Sequence, residues 1–259
     1  MMSSCPFSRK KIVLAFAASL FLSPCFAEET SLTKDDVEKI VKELLTKKSP
    51  EIVDEAKTIV KQKKLDEKKT KLAEVISSYR QSIYERNGDP IGGNPQGDVT
   101  IVMFQDYRCG HCKIAHKILN ELADIDKNIR IVYKEYPVLG PDSIYASKAS
   151  LAALKQGSEK QFKFSEAMMA SSDPVSKDDV LKLALTCGLN TDQLKNDIGS
   201  ADVDHLIAEN LKIARTLEVR GTPSFVIGPK GEEEVLTGVL EKEELEILVK
   251  KMRDKRVQA

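Results

Sequence analysis

The sequence is poor in the residues that several common functions require. Of its 259 residues none is Trp, three are His and only 5% are aromatic. A platform of aromatic side chains that stacks single-stranded nucleic acid is therefore not expected. The chain also lacks an excess of either charge, because 40 basic residues balance 40 acidic ones. No net positive charge attracts the whole chain to nucleic acid, and no nucleic-acid partner is predicted.

Long apolar runs are scarce as well. The apolar run at residues 12–22 has eleven residues, whereas a helix that spans a bilayer needs about 20. This run follows the basic residues 9–11 and precedes small residues at Cys25 and Ala27. The pattern predicts a secretory signal peptide, residues 1–27, that is cleaved after Ala27. An uncleaved anchor and a lipidated Cys25, with association to the outer membrane, are the alternatives that stay open.

Cysteines are too few for a disulfide-dense scaffold. The chain has five, and cleavage of the predicted leader leaves Cys109, Cys112 and Cys187. An exported protein with a close cysteine pair belongs in an oxidising compartment, and the bacterial periplasm is the location predicted here. Cys187 lies near a predicted helix end and is interpreted as a buried, inert thiol. His116 and His205 are interpreted as surface or partly buried histidines.

Residues 28–86 differ in composition from the rest of the chain. They contain 14 basic and 13 acidic residues, one Pro and no Gly. Apolar residues recur at helical spacing, and Thr33 with Asp36 resembles a capping box. A charged helix of this kind cannot bury its apolar stripe against itself. It either packs along its own globular domain or forms an arm through which copies of the chain associate.

Residues 87–98 hold four Gly and two Pro, which is typical of a linker or a chain of turns. This boundary predicts a helical arm with its linker at residues 28–90 and a catalytic domain at residues 91–259. In the second part, strands are predicted at residues 99–104, 128–136 and 224–227, with a partner strand around Val235. A helical block at about residues 141–217 interrupts the strands. The predicted class is α/β, with an inserted helical subdomain and an α-helical N-terminal arm.

The chemistry of the chain is concentrated at Cys109-Gly110-His111-Cys112, between a predicted strand and a predicted helix. At a helix N-terminus the first thiol faces free backbone N–H groups and the positive end of the helix dipole. Its pKa can then fall from about 8.5 into the range of about 3.5–7.5. Cys109 is therefore the candidate nucleophile and Cys112 the resolving thiol. His111 adds positive charge near the thiolate, which favours the reduced pair.

Other uses of a Cys-x-x-Cys pair are weighed against this one. A structural zinc site needs four ligands, and no second spaced pair of ligands is present in the sequence. Copper(I) binding is chemically allowed for a thiolate pair. A purely structural disulfide across so small a ring constrains little of the unfolded chain. No metal is predicted, and the redox group is the cysteine pair itself, without a further cofactor.

Three ordered motifs give the chain a family resemblance. They are FQDYRCGHC at residues 104–112, YKEYPVLG at 133–140 and GTPSF at 221–225. Residues 95–255 thereby resemble the thioredoxin fold and, within it, the DsbA-like thiol-disulfide oxidoreductases. The resemblance implies that Pro223 is a cis-proline beside the cysteine pair and that Thr222 offers backbone groups to a client strand. Cys-Gly-His-Cys is also the active-site sequence of protein disulfide isomerase.

Met103 departs from the family pattern, because many relatives carry a buried acid at this position, six residues before the first cysteine. Glu135, Lys134 or water is then left to exchange the proton of Cys112. Asp106 is closer in the sequence, but its side chain is expected to cap the turn. The charged arm resembles that of a long-armed subgroup, similar to the suppressor of copper sensitivity C (ScsC) proteins and related surface antigens.

The subgroup resemblance implies a homodimer or homotrimer formed through residues 28–86. The implied activity is the formation or isomerisation of disulfides in unfolded or misfolded exported proteins. A membrane partner of the DsbB type would keep the pair oxidised, and one of the DsbD type would keep it reduced. The alternative function is a chaperone or copper(I)-binding protein that uses the same thiols without turnover.

Overall fold

The computed structural model describes residues 33–44, 46, 49–172 and 175–257. The predicted signal peptide, residues 1–27, lies outside the described residues. Among the residues that are described, no helix is long and apolar enough to cross a membrane. The chain divides into two compact units, Met1–Thr58 and Ile59–Ala259. This division lies upstream of the limit at residues 90 and 91 that the sequence suggested.

The first unit contains helix α1 (Lys34–Glu43) and the start of α2 (Ser49–Ser78). The capping box predicted at Thr33 is confirmed: its hydroxyl accepts from the Asp36 N–H, and its own N–H donates to the Asp36 carboxylate. The apolar side chains of α1 are exposed, with Val37 and Ile40 each at 46%. No residue of α1 is buried.

The later part of α2 belongs to the second unit and changes character along its length. Ile59 is 61% exposed and Leu65 45% exposed, whereas Ile76 is completely buried. A π-helical turn, Gln81–Glu85, continues from the helix and buries Ile83 and Tyr84. The end of this segment therefore packs along its own domain, while its earlier apolar side chains are left exposed.

The second unit is built on one mixed five-stranded sheet in the order β1-β3-β2-β4-β5. Only β2 and β3 are parallel, joined by helix α3 (Gly110–Ile125), and the other neighbouring pairs are antiparallel. The strands are β1 (Ile91–Gly93), β2 (Val99–Gln105), β3 (Ile129–Glu135), β4 (Ser224–Ile227) and β5 (Glu234–Thr237). The register pairs Gln105 with Glu135, so the carboxyl ends of β2 and β3 lie side by side.

A block of helices connects β3 to β4, as the sequence predicted, and a last helix follows β5. The helices are α4 (Pro141–Ala153) with a short 3-10 turn (Leu154–Gln156), α5 (Ser158–Ala170), α6 (Lys177–Thr186), α7 (Thr191–Ile198), α8 (Ala201–Thr216) and α9 (Lys242–Val257). The predicted α/β class with an inserted helical subdomain is confirmed.

Strand β1 corrects the prediction that residues 87–98 are only linker and turns. Gly92 pairs with Ile131 of β3, and a Cβ on Gly92 would lie 2.9 Å from Cε2 of the Tyr133 ring. Real Cβ atoms do not approach so closely, so the ring occupies the space that a side chain would need. A residue read as a turn signal therefore serves close packing in an edge strand.

The sheet separates two hydrophobic clusters. The larger lies on the side of α3 and most of the inserted helices, and it includes Met103, Cys112 and Tyr133. The smaller lies on the other side and joins the end of the α2 segment to the sheet through Ile76 and Phe104. Successive residues of a strand point to opposite faces, so β2 and β3 contribute to both clusters.

Candidate active site

The cysteine pair lies where β2 ends and α3 begins. Cys109 is the N-cap of α3, in extended conformation, and Cys112 follows one turn later. Both are thiols; Cys109 is 8% exposed and Cys112 is completely buried. The placement of the pair at a helix N-terminus, which the sequence predicted, is confirmed.

The pKa values of the two thiols are shifted in opposite directions. The pKa of Cys109 is lowered from 9.0 to about 5, because the Cys112 thiol, the Thr222 side chain and the N–H groups of Cys112 and His111 all hydrogen-bond to its sulfur; burial offsets part of this effect. Burial raises the pKa of Cys112 far above its ordinary value, and the hydrogen bond that it donates to Cys109 acts in the same direction. Cys109 therefore carries the negative charge while Cys112 keeps its proton.

The loop that leads into β4 contacts Cys109. The Thr222–Pro223 peptide bond is cis, as the resemblance implied. The Thr222 carbonyl oxygen lies 3.2 Å from Cys109 Sγ, and Pro223 is buried. The Pro223 carbonyl accepts the N–H of Gly238 at 2.9 Å. The structure thus brings Thr222 to the sulfur of Cys109, and Pro223 follows it in the chain.

Gly110 and His111 form the exposed side of the site. A Cβ on Gly110 would have no atom within 4 Å, so nothing in the fold requires glycine there. His111 is exposed in the first turn of α3.

Glu135 and Lys134 lie next to each other on β3 and occupy opposite faces of the sheet. Glu135 is fully buried and accepts the Tyr107 hydroxyl at 2.8 Å; that hydroxyl also lies 2.8 Å from the hydroxyls of Ser150 and Ser165. Burial raises the pKa of Glu135 from 4.5 to about 7, and these hydrogen bonds limit the rise. Among the described residues, no hydrogen bond joins Glu135 to Cys112.

Lys134 is turned away from the cysteine pair. It is fully buried, forms an ion pair with Asp89 and donates to the Ser82 carbonyl at 2.5 Å. Burial lowers the pKa of Lys134 to about 8, and Asp89 opposes that shift. Of the two side chains that the sequence offered as proton carriers, only Glu135 faces the side of the sheet on which Tyr107 lies. Met103, at the position of the family's buried acid, is completely buried in the core.

His116 is buried, contrary to its interpretation as a surface or partly buried residue. It is 2% exposed and stacks on Tyr133 with 4.7 Å between ring centroids. Its Nδ1 lies 3.2 Å from a carboxylate oxygen of Glu166, and burial lowers the pKa of His116 to about 4. The spacing could have revealed this position, since residues 112, 115, 116, 119 and 122 form one helical face.

The other residues set aside by sequence reasoning take no part in the site. His205 is exposed. Cys187 is partly exposed at the end of α6, so it is less buried than expected. In the described part of the chain, no group of three or more His, Cys, Asp or Glu side chains is placed to hold a metal ion.

Comparisons with known proteins agree with this geometry. Residues 100–250 match the DSBA-like thioredoxin domain family. A thioredoxin-like oxidoreductase from Silicibacter pomeroyi DSS-3 has 38% sequence identity and a TM-score of 0.63, over 68% of this chain and 98% of that one. A linker-deletion mutant of ScsC from Proteus mirabilis has 23% identity and a TM-score of 0.64, over 89% of this chain and 99% of that one. The likeness to ScsC at this identity concerns the fold alone.

Two curated relatives add to the picture. The thiol:disulfide interchange protein DsbA of Haemophilus influenzae is 28% identical over 137 residues, which is 50% of this chain and 66% of that protein. The Na(+)/H(+) antiporter NhaA 1 of Mycobacterium sp. (strain KMS) is 26% identical over 147 residues. That match takes in 55% of this chain and only 24% of the antiporter, so the chain spans about a quarter of the curated relatives first matched.

Proposed function

Because the chain belongs to the DsbA-like thioredoxin domain family of thiol-disulfide oxidoreductases, we propose that it exchanges disulfides with exported proteins through Cys109 and Cys112. The observation that carries the proposal is the unequal acidity of two neighbouring thiols, one with a pKa of about 5 and the other raised by burial. Such a pair presents one thiolate to a client and holds the second thiol in reserve.

The exchange transfers two electrons without an added cofactor. In the reducing direction, the Cys109 thiolate attacks a client disulfide, forms a mixed disulfide and releases one client thiolate, which takes up a proton. Cys112 then loses its proton and attacks Cys109 Sγ, which leaves a Cys109–Cys112 disulfide and a reduced client. In the oxidising direction, a client thiolate attacks Cys109 Sγ of that disulfide, and Cys112 leaves and takes up a proton. A second client thiolate then attacks the client sulfur of the mixed disulfide, which forms the client disulfide and releases Cys109 as the thiolate.

Isomerisation uses the first step alone. If the released client thiolate attacks another client disulfide, a later client thiol can displace Cys109 and no net electron transfer occurs. The stabilised Cys109 thiolate is a good leaving group for this return step. The backbone N–H of His111 hydrogen-bonds to the Cys109 sulfur and lowers its pKa, which favours the reduced pair, the form that isomerisation needs. We propose isomerisation as the main activity, with some capacity to oxidise.

The site would act on unfolded or misfolded chains in the periplasm, after cleavage of the leader at residue 27. A membrane partner of the DsbB or DsbD type would reset the cysteine pair. The in-cell redox state of the pair separates these partners: acid trapping followed by alkylation with a mass tag should show mostly reduced thiols if isomerisation dominates. A mostly oxidised pair would contradict the isomerase assignment and favour an oxidase.

The exposed apolar side chains of α1 and early α2 support self-association through residues 28–86, as a dimer or trimer. Val37, Ile40, Ile52 and Ile59 are each at least 46% exposed. A truncation that tests this should begin at Ile59, because Ile76 and Ile83 belong to the core of the second unit. Light scattering should give an oligomer for residues 28–259 and a monomer for residues 59–259. Equal oligomeric states for both would refute the role of the arm.

The activity itself is tested by insulin reduction and by repair of scrambled ribonuclease. Replacing Cys109 by Ser should abolish both, because no thiolate remains to form the mixed disulfide. The matched control is C187S, which removes a thiol outside the site and should retain both activities. If the wild-type chain held unfolded clients but showed neither reaction, a chaperone would be the better assignment.

A further inference from the structure

The resolving step of the proposed exchange needs a group that accepts a proton. Cys112 must lose its proton when it attacks Cys109 Sγ, yet burial raises the pKa of Cys112 far above its ordinary value. Met103 carries no acidic group, and no hydrogen bond joins Glu135 to Cys112 among the described residues. Lys134 is turned to the other face of the sheet. A thiol buried this deeply requires another side chain nearby that can take its proton.

His116 lies one turn after Cys112 on the same buried face of α3. Side chains four residues apart on a helix are neighbours, with about 5–6 Å between their Cβ atoms. Each side chain also leans toward the N-terminus of the helix, so the imidazole of His116 covers the turn that carries Cys112. Cys112 is completely buried and His116 is 2% exposed, so both lie away from bulk solvent.

The two ring nitrogens of His116 differ in what they contact. Nδ1 lies 3.2 Å from Oε1 of Glu166 on α5, and Oε2 of Glu166 accepts from the Asn120 side chain at 2.7 Å. One proton shared between Nδ1 and Oε1 satisfies both atoms. Nε2 is buried and has no hydrogen-bond partner among the described residues. Because burial lowers the pKa of His116 to about 4, the ring is neutral at pH 7, and a proton on Nδ1 leaves Nε2 as a free acceptor.

In the reduced pair, the proton of Cys112 is held by Cys109. The Cys112 thiol donates a hydrogen bond to the Cys109 thiolate. When Cys109 bonds to a client sulfur, its negative charge is lost and with it the charge-assisted hydrogen bond. The thiol proton of Cys112 then lacks its acceptor at the stage at which it has to leave. The lone pair on Nε2 of His116 is a buried acceptor one turn further along α3.

Glu166 connects His116 to the surface of the domain. Its side chain is 32% exposed and lines a cavity of about 590 Å³ between β1, α3 and α5. Burial raises the pKa of Glu166 from 4.5 to about 7, and the hydrogen bond from Asn120 limits the rise. A carboxylate with this pKa both takes up and releases a proton near neutral pH. Glu166 is therefore suited to take a proton from His116 and to pass it to solvent.

We propose that Nε2 of His116 accepts the proton of Cys112 in the resolving step, and that Glu166 takes the Nδ1 proton in the same step. This inference rests on the proposed function. The Cys112 sulfur bonds to Cys109 Sγ, the bond between Cys109 and the client sulfur breaks, and the client leaves with the electron pair as a thiolate. One proton moves from Cys112 to Nε2 and another from Nδ1 to Glu166, so the ring stays neutral. In the oxidising direction both transfers run backwards and return a proton to Cys112.

The test separates the two steps of one reaction with dithionitrobenzoate, an aromatic disulfide whose released thiolate is coloured. Attack by Cys109 releases the first thiolate at a rate that depends on the reagent concentration. Attack by Cys112 releases the second at a rate that does not, because both sulfurs then belong to one molecule. Reduced protein of residues 28–259 is mixed with one equivalent of the reagent. A C187S background removes the third thiol of this chain.

H116F removes both nitrogens and keeps a ring that can stack on Tyr133. It should slow the second phase by about 10²-fold, within the range that a positioned base contributes. The first phase should be unchanged, because the acidity of Cys109 does not depend on His116. D124N is the matched control: Asp124 lines the same cavity with an 81% exposed side chain, and this variant should keep both rates of wild-type protein.

E166Q tests the second transfer with a residue that is partly exposed. It keeps an oxygen for the hydrogen bond from Asn120 but cannot take up a proton. The polar and charged groups around Glu166 are His116 and Asn120 of α3 and Tyr133 of β3, with Asp124 and Lys127 on the same cavity. In wild-type protein the second phase should slow as the pH falls through about 7, because protonated Glu166 cannot accept. E166Q should be slower than wild type at pH 8 and should lack this inflection.

The outcomes decide between this proton route and its alternatives. An unchanged second phase in H116F would refute His116 as the acceptor, and an unchanged pH profile in E166Q would refute the transfer to Glu166. A slow second phase in E135Q with a normal one in H116F would give the role to Glu135. A slow second phase in D124N would show that disturbance of the cavity causes the effect. If wild-type protein released no second thiolate, Cys109 and Cys112 would not form a disulfide, and the proposed function itself would be wrong.

Discussion

Replacing Cys112 by Ala and, separately, by Ser should resolve how the Cys109 thiolate is stabilised. The hydrogen bond from the Cys112 thiol is the largest of the contributions that lower the pKa of Cys109 to about 5. Ser keeps an O–H donor at the same position, whereas Ala removes the donor and leaves the backbone N–H groups of α3 in place. The comparison of the two variants therefore separates the effect of the Cys112 hydrogen bond on the pKa of Cys109 from the effect of the helix N-terminus.

The expected magnitude follows from the strength of that bond. At pH 7 a thiol with a pKa of about 5 is ionised in about 99 of 100 molecules, whereas the ordinary value of 9.0 leaves about one in 100 ionised. A hydrogen bond to a charged group contributes about 1.5–3 kcal/mol, and one pKa unit corresponds to about 1.4 kcal/mol. The pKa of Cys109 should therefore rise by about one to two units in C112A and by much less in C112S.

The assay is the pH dependence of alkylation by iodoacetamide, followed by mass spectrometry, with thiolate absorbance at 240 nm as a second readout. A C187S background leaves Cys109 as the only thiol in residues 28–259 of either variant. Far-UV circular dichroism confirms that both variants remain folded. If C112A and C112S titrate at the same pH, the Cys112 hydrogen bond does not set the acidity of Cys109, and the backbone N–H groups of α3 do.

Three further predictions concern other buried or exposed groups. Burial raises the pKa of Glu135 from 4.5 to about 7 in the folded chain, so the folded state loses stability as the pH rises from about 4.5 to about 7. In urea unfolding, E135Q should be more stable than wild type by about 3 kcal/mol at pH 8 and show no gain at pH 4. A gain that does not vary with pH would show that ionisation of Glu135 is not its cause. K134M removes one of the two basic partners of the buried Asp89, while Arg86 remains; it should lower the free energy of unfolding by about 1.5–3 kcal/mol, whereas a loss under about 0.5 kcal/mol would show that the ion pair adds little. H111A should make the cysteine pair less oxidising in glutathione redox titrations. An unchanged reduction potential would show that the His111 side chain does not stabilise the reduced pair.

The sequence predicted the elements whose local pattern and tertiary environment agree. Strands β2 and β3 consist largely of β-branched and aromatic residues, and the capping box at Thr33 begins its helix as expected. The cysteine pair was located because a strand, a short turn and an amphipathic helix follow one another in the chain. The inserted helices were predicted as one helical block at about residues 141–217.

The remaining features depend on contacts between distant parts of the chain. Gly92 pairs with Ile131 in β1, and the Tyr133 ring fills the space where a side chain would lie; the residues next to Gly92 in the sequence do not predict either contact. Lys134 and Glu135 are both fully buried, which local composition argues against for charged side chains. Their partners, Asp89 and Tyr107, come from other segments, so only the assembled sheet shows that the two side chains find partners on opposite faces.

Within the second unit, α2 is one continuous helix, so the direction in which its exposed side chains point depends on how its end is anchored in the domain. Ile59 and Leu65 are exposed, while Ile76, further along the same helix, is anchored in the core. Each residue of an α-helix adds about 100° of rotation. A single residue inserted between Leu65 and Ile76 would therefore turn the exposed upstream side chains by about 100° relative to the anchored end, with no change in composition. Under the self-association proposed above, a change in the length of this helix would alter the angle at which the copies present their cysteine pairs to one another.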